Sequence, residues 1–508
     1  MSLNNHDGSV VAIPPHAAKH RLWRIARRLA RWGLFATGIF ALALLAWHGF
    51  LTWRVRELEG WFRANGYPIS SSELRASRPP LIGENGMGYI YRAVATSKDL
   101  PESDYDLVPQ FGSLGIPSDG CSYTPEQVEA TLRFLESNAS FRHAMQMAAN
   151  CKETYFSYRT SMDVGCLVVG KTYLNMESIL FRYAVGTKDW DSARYELECM
   201  KRMVICYRDA PYLVGSLIHI ALRGVFERNL VKACTGTEVP REFLHEILMA
   251  HREVMAMSKS ATRTACEEAS FVRELSLDAF PWDVNEYDFI EDQSRSPWHK
   301  HFRVMRYILA SGPAAQSVAS LSVVKYLIET EQTPIEQRDI KAIIEKDKRE
   351  VFGSGAALVP DQYYEDALAG IVSVLRTEQA RYASMSSAHC VQAYIGTLLY
   401  RARHGRLPEN LAALVPDILP DIPIDIYDKK PLRYAAAEDG NSFRVWSVGL
   451  DGIDDGGASL RKSSGFSSEA EAQNPPIVHY GVSHDTKDIV LTWTRPSSQP
   501  AQRAQHKE

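Results

Sequence analysis

A run of 22 residues without Asp, Glu, Lys or Arg, from Trp32 to Trp53, constrains this chain more than any other feature. A helix rises about 1.5 Å per residue, so the run spans roughly 30 Å, the thickness of the hydrocarbon core of a bilayer. Trp32 at one end and Trp47 and Trp53 at the other suit the two interfaces, where amphipathic rings settle. The run therefore predicts a transmembrane helix.

The charges beside this helix predict its orientation. Residues 1 to 31 carry one acidic side chain, Asp7, and six basic ones: Lys19, Arg21, Arg24, Arg27, Arg28 and Arg31. Basic residues beside an anchor stay in the cytoplasm. We therefore expect a single-pass protein of a bacterial inner membrane, with its N-terminus in the cytoplasm and its bulk in the periplasm or another extracytoplasmic space.

Two alternatives compete with an uncleaved anchor. Ala41-Leu42-Ala43 resembles the cleavage site of a signal peptide, but the apolar run continues for ten residues beyond it. A buried helix of a soluble core is the other alternative, and the basic flank disfavours it. The anchor is the preferred interpretation.

The rest of the chain is acidic. The formal net charge is −4 and the first 53 residues contribute +5, so the other 455 residues carry −9. This charge repels a phosphate backbone, and we expect no nucleic acid among the partners. The eight cysteines contain no CxxC pair and predict no particular disulfide.

The pattern along the chain predicts a mainly α fold. It comprises an N-terminal transmembrane helix, an irregular all-helical domain of αα-hairpins and a small α+β C-terminal module, with a helical-repeat array as the alternative for the middle. The predicted divisions are a cytoplasmic basic tail (1–31), the transmembrane helix (32–53), a juxtamembrane helix and loop region (54–123), the helical domain (124–380), the C-terminal module (381–495) and a disordered tail (496–508).

Local signals support the helical middle. Thr124, Pro125 and Gln127 combine an N-cap, a proline at the first helical position and a capping-box glutamine. Apolar stripes at helical spacing predict two neighbouring helices, the first with Ala193, Leu197, Met200 and Val204, the second with Leu213, Leu217, Ile220 and Leu230. The short turn between them predicts an antiparallel hairpin.

One motif fits a phosphate-binding loop to the letter. Gly165 to Thr172 reads GCLVVGKT, and Lys171 would contact the phosphates. The preceding ETYFSYRTSMD is not an apolar strand, however, and the loop interior is bulky. A helix start with an exposed Lys171 is the preferred interpretation, and nucleotide hydrolysis the alternative.

Metal and acid–base patterns are weak in the helical part. His245 and His251 are six apart, so they project from a helix about 120° from each other and cannot share an ion. His299 and His301 have no evident third ligand. Glu267, Glu268 and Glu274 lie on one predicted helix, where a solvated face is favoured over acid–base catalysis.

The most specific signal lies near the end of the chain. Its elements are YRARHGRLP (400–408), then Leu411, Leu414, Pro416, Leu419, Pro423 and Asp425, then KPLRY (430–434), Phe443, WSVGLDGIDDGG (446–457), Asp488-Ile489 and Trp493. Over about 100 residues this order resembles the C-terminal half of the major pseudopilins of type II secretion. The resemblance implies a helix, a proline-rich loop and a small sheet that carries a calcium site.

The acidic turn of this module is the predicted metal site. Asp451, Asp454 and Asp455 place three carboxylates within five residues among glycines, and hard oxygen ligands suit calcium. By the resemblance, Asp488 and backbone carbonyls would complete the shell. An acidic hairpin turn without a metal is the alternative, and an EF-hand is excluded because Ile453 and Lys462 occupy its third and twelfth positions.

The resemblance does not extend to the membrane segment, which lies some 350 residues upstream of the module and lacks the glutamate of pseudopilins. As a whole the chain is similar to a group of uncharacterised bacterial single-anchor envelope proteins. ENGMGYIYRA, GTKDWDSARYELECM and DAPYLVGSLIHIALRG carry this similarity, which implies a layout but no reaction. We expect an interaction scaffold for other envelope proteins rather than an enzyme; the alternative is an envelope hydrolase using carboxylates such as Glu267 and Glu268.

Overall fold

The computed structural model describes most of the chain. Its described residues are 15–78, 80–81, 83–111, 115–117, 120–156, 164–256, 263–267, 270, 361–449, 452–457 and 488–495, together with eight residues between 317 and 329. Among the predicted site residues, Asp451, Glu268, Glu274, His299 and His301 lie outside them, as does the predicted tail 496–508.

The first helix, α1 (Pro15–Ala64), contains the whole predicted span. It is the one helix of the described residues that is long and apolar enough to cross a membrane. Its most apolar stretch of 18 residues has a mean hydropathy of 1.9, and only 6% of that stretch is buried. Leu34, Phe35, Leu42 and Leu45 are all exposed. An apolar surface of this extent needs an apolar neighbour, which a bilayer supplies.

The far end of α1 packs on protein. Leu51, Leu58 and Phe62, spaced by seven and four residues, share one face of the helix, and all three are buried. This face contacts a small apolar cluster, which consists of Ile69, Ala265, Val318, Leu321 and Val324. Protein therefore covers one face of α1 near the predicted end of the span, while Trp53 stays exposed.

Eight further α-helices lie in the described residues between 65 and 256. They are α2 (Ser71–Ala76), α3 (Met87–Thr96), α4 (Pro125–Ser137), α5 (Ala139–Asn150), α6 (Val164–Thr187), α7 (Trp190–Cys206), α8 (Tyr212–Gly236) and α9 (Arg241–Ala256). The predicted capping box is confirmed at α4, where the Thr124 and Gln127 side chains each accept from the other's backbone N–H. The fold is mainly helical, as expected.

The α7 stripe is confirmed, because Ala193, Leu197, Met200 and Val204 are all buried. The α8 stripe is partly wrong, since Leu217 is 39% exposed. The helix α8 is enclosed elsewhere on its circumference, for it contacts α6 and a long helix, α10 (Asp361–His404). Helix α6 packs on both α7 and α8 and forms the centre of the helical body.

The C-terminal part is a three-stranded antiparallel sheet in the order β1 (Arg433–Ala436), β2 (Ser442–Ser447), β3 (Ile489–Thr494). In the register, Phe443 pairs with Ala436 on one side and with Trp493 on the other. The Phe443 and Trp493 rings stack at 5.5 Å and face α10, where Tyr394 lies 5.4 Å from Phe443.

One hydrophobic core joins the helical body to this sheet. It extends from Met87 in α3 through Phe226 in α8 to Trp493 in β3. The helix α10 runs without a break across residue 381, the predicted start of the C-terminal module. The two predicted divisions thus share a helix and a core.

Candidate functional site

The predicted acidic turn lies beside the ends of β2 and β3. Asp454 is already held by the protein there, because its Oδ1 accepts from Trp446 Nε1 at 2.9 Å and from Gly456 N at 3.0 Å. Its Oδ2 accepts from Arg433 Nε at 3.3 Å. Two N–H donors use both lone pairs of Oδ1, and a calcium ion would have to share Oδ2 with Arg433, so Asp454 is at most a one-oxygen ligand.

Asp488 fits a cation better. It is buried, and its Oδ2 accepts from Gly457 N at 2.8 Å. Its Oδ1 is also buried and has no hydrogen-bond partner among the described residues. Burial and the negative charges of Asp454 and Asp455 raise the pKa of Asp488. The calcium site stays a prediction, to which Asp488 contributes the most suitable oxygen.

Asp425 organises this module from inside. The residue is fully buried, and its carboxylate accepts from Ser447 Oγ at 2.9 Å, from Val448 N at 2.9 Å and from Arg433 Nη1 at 3.0 Å. Ser447 in turn accepts from Ser386 Oγ of α10 at 2.7 Å. These hydrogen bonds connect the loop before β1 to β2 and to α10, so the role of Asp425 is structural.

The structure places the described residues of the other predicted motifs in helices. Gly165 to Thr172 lie within α6, where Lys171 is exposed, as the preferred interpretation expected. On α9, His245 is exposed and His251 is fully buried, so they do face different sides. The prediction of a solvated face is wrong for Glu267, which is buried. Its carboxylate accepts from Arg263 Nε at 3.1 Å and from Tyr212 N at 3.0 Å, so it caps the start of α8.

A buried polar cluster between α5, α6 and α7 escaped the sequence reasoning. Tyr173 and Glu177 lie one turn apart on α6, and Glu196 and Cys199 lie one turn apart on α7. The ligand atoms of Glu177, Glu196 and Cys199 are all within 4.8 Å of one another. Arg142 of α5 donates two hydrogen bonds to the Glu177 carboxylate, of 2.9 and 2.8 Å.

The electrostatics of this cluster depend on burial. Glu177 is fully buried and Glu196 is 8% exposed. Burial and contact with the Glu177 carboxyl raise the pKa of Glu196 to about 10, so Glu196 holds a proton at neutral pH. Burial and the same two carboxyls raise the pKa of the Cys199 thiol to about 12. Burial also raises the pKa of Tyr173.

A second buried cluster joins α8, α9 and α10. Arg223 and Glu227 form an ion pair of 3.2 Å, and His251 Nε2 lies 3.5 Å from the same Glu227 oxygen. Arg223 Nη2 donates to Ser384 O at 2.5 Å, and Ser387 Oγ lies 3.5 Å from Glu227 Oε2. All of these side chains are buried. The cluster holds three helices together within the core.

A surface cleft of about 300 Å³ lies where the helical body meets the sheet. The end of α8, the α8–α9 turn, the start of α9, the end of α10 and the end of β3 line it. Its buried lining is apolar and comprises Cys234, Leu244, Leu398 and Trp493. Its more accessible lining contains the charged residues Glu238, Arg401 and Arg495 and the uncharged residues Thr237, Val239, Ala402 and Gly405. We call it the Trp493 cleft.

The charged groups of the Trp493 cleft lie close together but do not hydrogen-bond to one another. The Arg401 guanidinium lies over the Trp493 ring at 4.7 Å, and its Nη2 is 3.6 Å from Glu238 Oε1. Arg495 Nε is 3.9 Å from that same oxygen. At these N···O distances the arginines form ion pairs with Glu238, but the distances are too long for hydrogen bonds. Within the described residues, both guanidinium groups keep their donors available for another acceptor.

Sequence reasoning missed the cleft because its three charged residues come from distant segments. The available signal was that Arg401 and Trp493 both belong to the C-terminal constellation, which gave no hint of Glu238. Comparisons of the chain with protein-family models, curated proteins and solved structures found no significant match.

Proposed function

We propose that this chain is a membrane-anchored interaction protein of the bacterial envelope, which holds an acidic segment of a partner protein in the Trp493 cleft. The anchor is α1, with its N-terminus in the cytoplasm and the folded part outside. The basic residues that precede the span support this orientation. The sheet and the end of α10 act as a rigid cap, for which the pseudopilin resemblance is the sequence support.

The observation that carries the proposal is the pair of arginines that share one oxygen of Glu238. A guanidinium presents a planar fork of donors that matches a carboxylate bidentately. Arg401 and Arg495 each face Glu238 at a distance too long for a hydrogen bond. A partner carboxylate that binds them directly would gain hydrogen bonds that Glu238 does not make.

The apolar lining supports a peptide as the occupant. Leu244, Leu398 and Trp493 are buried and form the apolar floor of the cleft next to the arginines. Concave sites with an apolar lining and a few convergent polar groups are the usual places for ligands. An acidic residue followed by an apolar one matches both parts of the cleft. The acidic surplus of the folded part disfavours a nucleic-acid strand.

The hydrolase alternative has less support. Glu267, its proposed catalytic carboxylate, is paired with Arg263 and bonded to the start of α8. A general base needs a free oxygen directed at a substrate. Neither the Arg223–Glu227 pair nor the Arg142–Glu177 pair lies in the Trp493 cleft.

The test is chemical crosslinking in cells, followed by purification of the tagged full chain and quantitative mass spectrometry. We expect a partner that is enriched over an untagged control and whose recovery falls at least tenfold with Arg401→Glu or Arg495→Glu. Arg202→Glu on α7 is the matched control, because Arg202 is an exposed arginine outside the cleft, and it should retain the partner. Equal recovery from all three variants would exclude the cleft as the binding site.

Arg401 also packs on Trp493, so its replacement can disturb the fold. Arg495 is 56% exposed and offers a variant with little packing cost. Circular dichroism of each purified variant, with an unchanged unfolding temperature, separates loss of binding from loss of structure. An enriched partner that binds through anionic lipid or carbohydrate instead of an acidic protein segment would also overturn the proposal.

A further inference from the structure

We propose that Glu177, Glu196 and Cys199 form a binding site for a divalent transition-metal cation, with zinc as the best match. The site is independent of the Trp493 cleft and of the predicted calcium site. It lies between α6 and α7, where one turn of each helix faces the other.

The geometry supplies the first part of the argument. Glu196 and Cys199 are three residues apart on α7 and therefore project from one face. Glu177 faces them from α6, and all three potential ligand atoms lie within 4.8 Å of one another. Ligands of a tetrahedral zinc ion lie about 2.0 to 2.3 Å from the metal. Small side-chain rotations would bring these three atoms onto one ion.

An unsatisfied buried oxygen supplies the second part. Glu196 Oε2 is buried and has no hydrogen-bond partner among the described residues. Tyr173 is fully buried on the same side, and its hydroxyl is hydrogen-bonded to the Cys199 side chain. Buried polar atoms normally have partners. A cation bound between the ligands would satisfy Glu196, and a water or Tyr173 would fill the fourth position.

Charge balance is the third part. Metal binding displaces the protons of Glu196 and Cys199 into solvent. The two carboxylates and the thiolate then carry three negative charges, and Arg142 offsets one of them. A divalent cation offsets the other two, so the loaded site is neutral, as a buried site needs to be. Arg142 bonds each Glu177 oxygen once, and each carboxylate oxygen has a second lone pair for a metal. A hydrogen-bonded carboxylate of this kind is a common arrangement around metal ligands.

The ligand set indicates the kind of metal. A thiolate disfavours calcium and magnesium, which prefer oxygen, whereas a mixed sulfur and carboxylate set is compatible with zinc. Cys199 is half-buried, unlike Glu177 and Glu196, and offers a path from solvent to the site.

The test uses cobalt as a spectroscopic probe for zinc. The full chain, purified in detergent, is reduced, stripped of metal with a chelator and titrated with Co²⁺. We expect a thiolate-to-cobalt charge-transfer band in the near ultraviolet that saturates at one equivalent and is abolished by one equivalent of Zn²⁺. Cys199→Ser should remove the band, and Glu196→Gln should weaken Co²⁺ binding at least tenfold.

Cys151→Ser is the matched control, because Cys151 is also half-buried and is hydrogen-bonded to Met147 O, away from the cluster. It should leave the band unchanged. Absence of a band up to millimolar Co²⁺ in the folded protein would overturn the proposal, as would the same band in Cys199→Ser. Circular dichroism of each variant confirms that the fold is intact.

Discussion

Glu238 lies between two arginines, with its Oε1 at 3.6 Å from Arg401 Nη2 and at 3.9 Å from Arg495 Nε. The three residues come from the α8–α9 turn, the end of α10 and the end of β3. Glu238 itself is mostly exposed, with 66% of its side chain accessible. Glu238 therefore binds the two arginines weakly, and a carboxylate placed closer to them would bind more strongly.

Glu238→Gln is predicted to strengthen partner binding. The substitution removes the competing negative charge and leaves both arginines in place, so an acidic segment should bind more tightly, by about 0.2–1 kcal/mol, the usual value of an exposed ion pair. Quantitative recovery of the crosslinked partner measures the change. A loss of recovery would mean that Glu238 contacts the partner directly.

Asp425→Asn is predicted to destabilise the C-terminal sheet. The substitution gives a set of buried donors a neutral partner, and Arg433 loses its fully buried carboxylate but keeps Asp428 and Asp454. The expected loss is therefore that of weakened buried hydrogen bonds, about 1–3 kcal/mol. Urea unfolding followed by tryptophan fluorescence measures the loss. Asp421→Asn, on an exposed residue of the same loop, should stay within about 0.5 kcal/mol of the parent protein.

The raised pKa of Glu196 predicts that the stability of the metal-free protein depends on pH. Its pKa in the folded state is about 10, above its ordinary value of 4.5. The folded state thus keeps a proton that the unfolded state loses, so the contribution of Glu196 to stability is full below pH 4.5 and falls as the pH rises towards 10. The slope is at most about 1.4 kcal/mol per pH unit.

Glu196→Gln imitates the protonated carboxyl and should flatten this decline. Unfolding temperatures measured in chelator from pH 5 to 9 test it, with Glu198→Gln as the control. Glu198 lies on the same helix, where Lys201 and Arg202 lower its pKa against the effect of burial. A decline that is as steep in Glu196→Gln as in the parent would show that another group titrates.

Replacing Asp488 tests whether the acidic turn is a calcium site or a hairpin turn without a metal. Its raised pKa means that ionisation costs stability as the pH rises, so Asp488→Asn should raise the unfolding temperature by a few degrees at pH 7 in calcium-free buffer. If calcium binds there, millimolar calcium should stabilise the parent chain but not Asp488→Asn. Asp417→Asn, an exposed control, should respond as the parent does. Equal responses of all three to calcium would remove Asp488 from the ligand set.

Local signals in the sequence predicted local structure well. The capping box of Thr124 and Gln127 and the buried stripe of α7 depend on neighbours within one turn, and both are confirmed. The apolar run from Trp32 lies in one helix, α1, because its length and composition suffice to define it. Leu217 was misassigned because the hydrophobicity of α8 does not show which of its sides faces α6 and α10.

The sites depended on tertiary placement and could not be predicted. Glu177 faces Glu196 and Cys199 only because α6 and α7 pack in a particular register, and no spacing along the chain encodes it. The one available clue was the position of Glu196 next to Leu197 in the buried stripe of α7. Arg401 meets Glu238 for a similar reason, since α10 returns beside the α8–α9 turn across more than 160 residues.

Site-specific photocrosslinking tests the central claim most directly. A photoreactive phenylalanine analogue replaces Thr237, which lines the Trp493 cleft, or Tyr195, which is 55% exposed on α7. The account predicts that position 237 of the full chain crosslinks in cells to an acidic segment of one envelope protein, and that Arg495→Glu abolishes this product. Crosslinking of the same products from position 195, or no protein product from position 237, would contradict it.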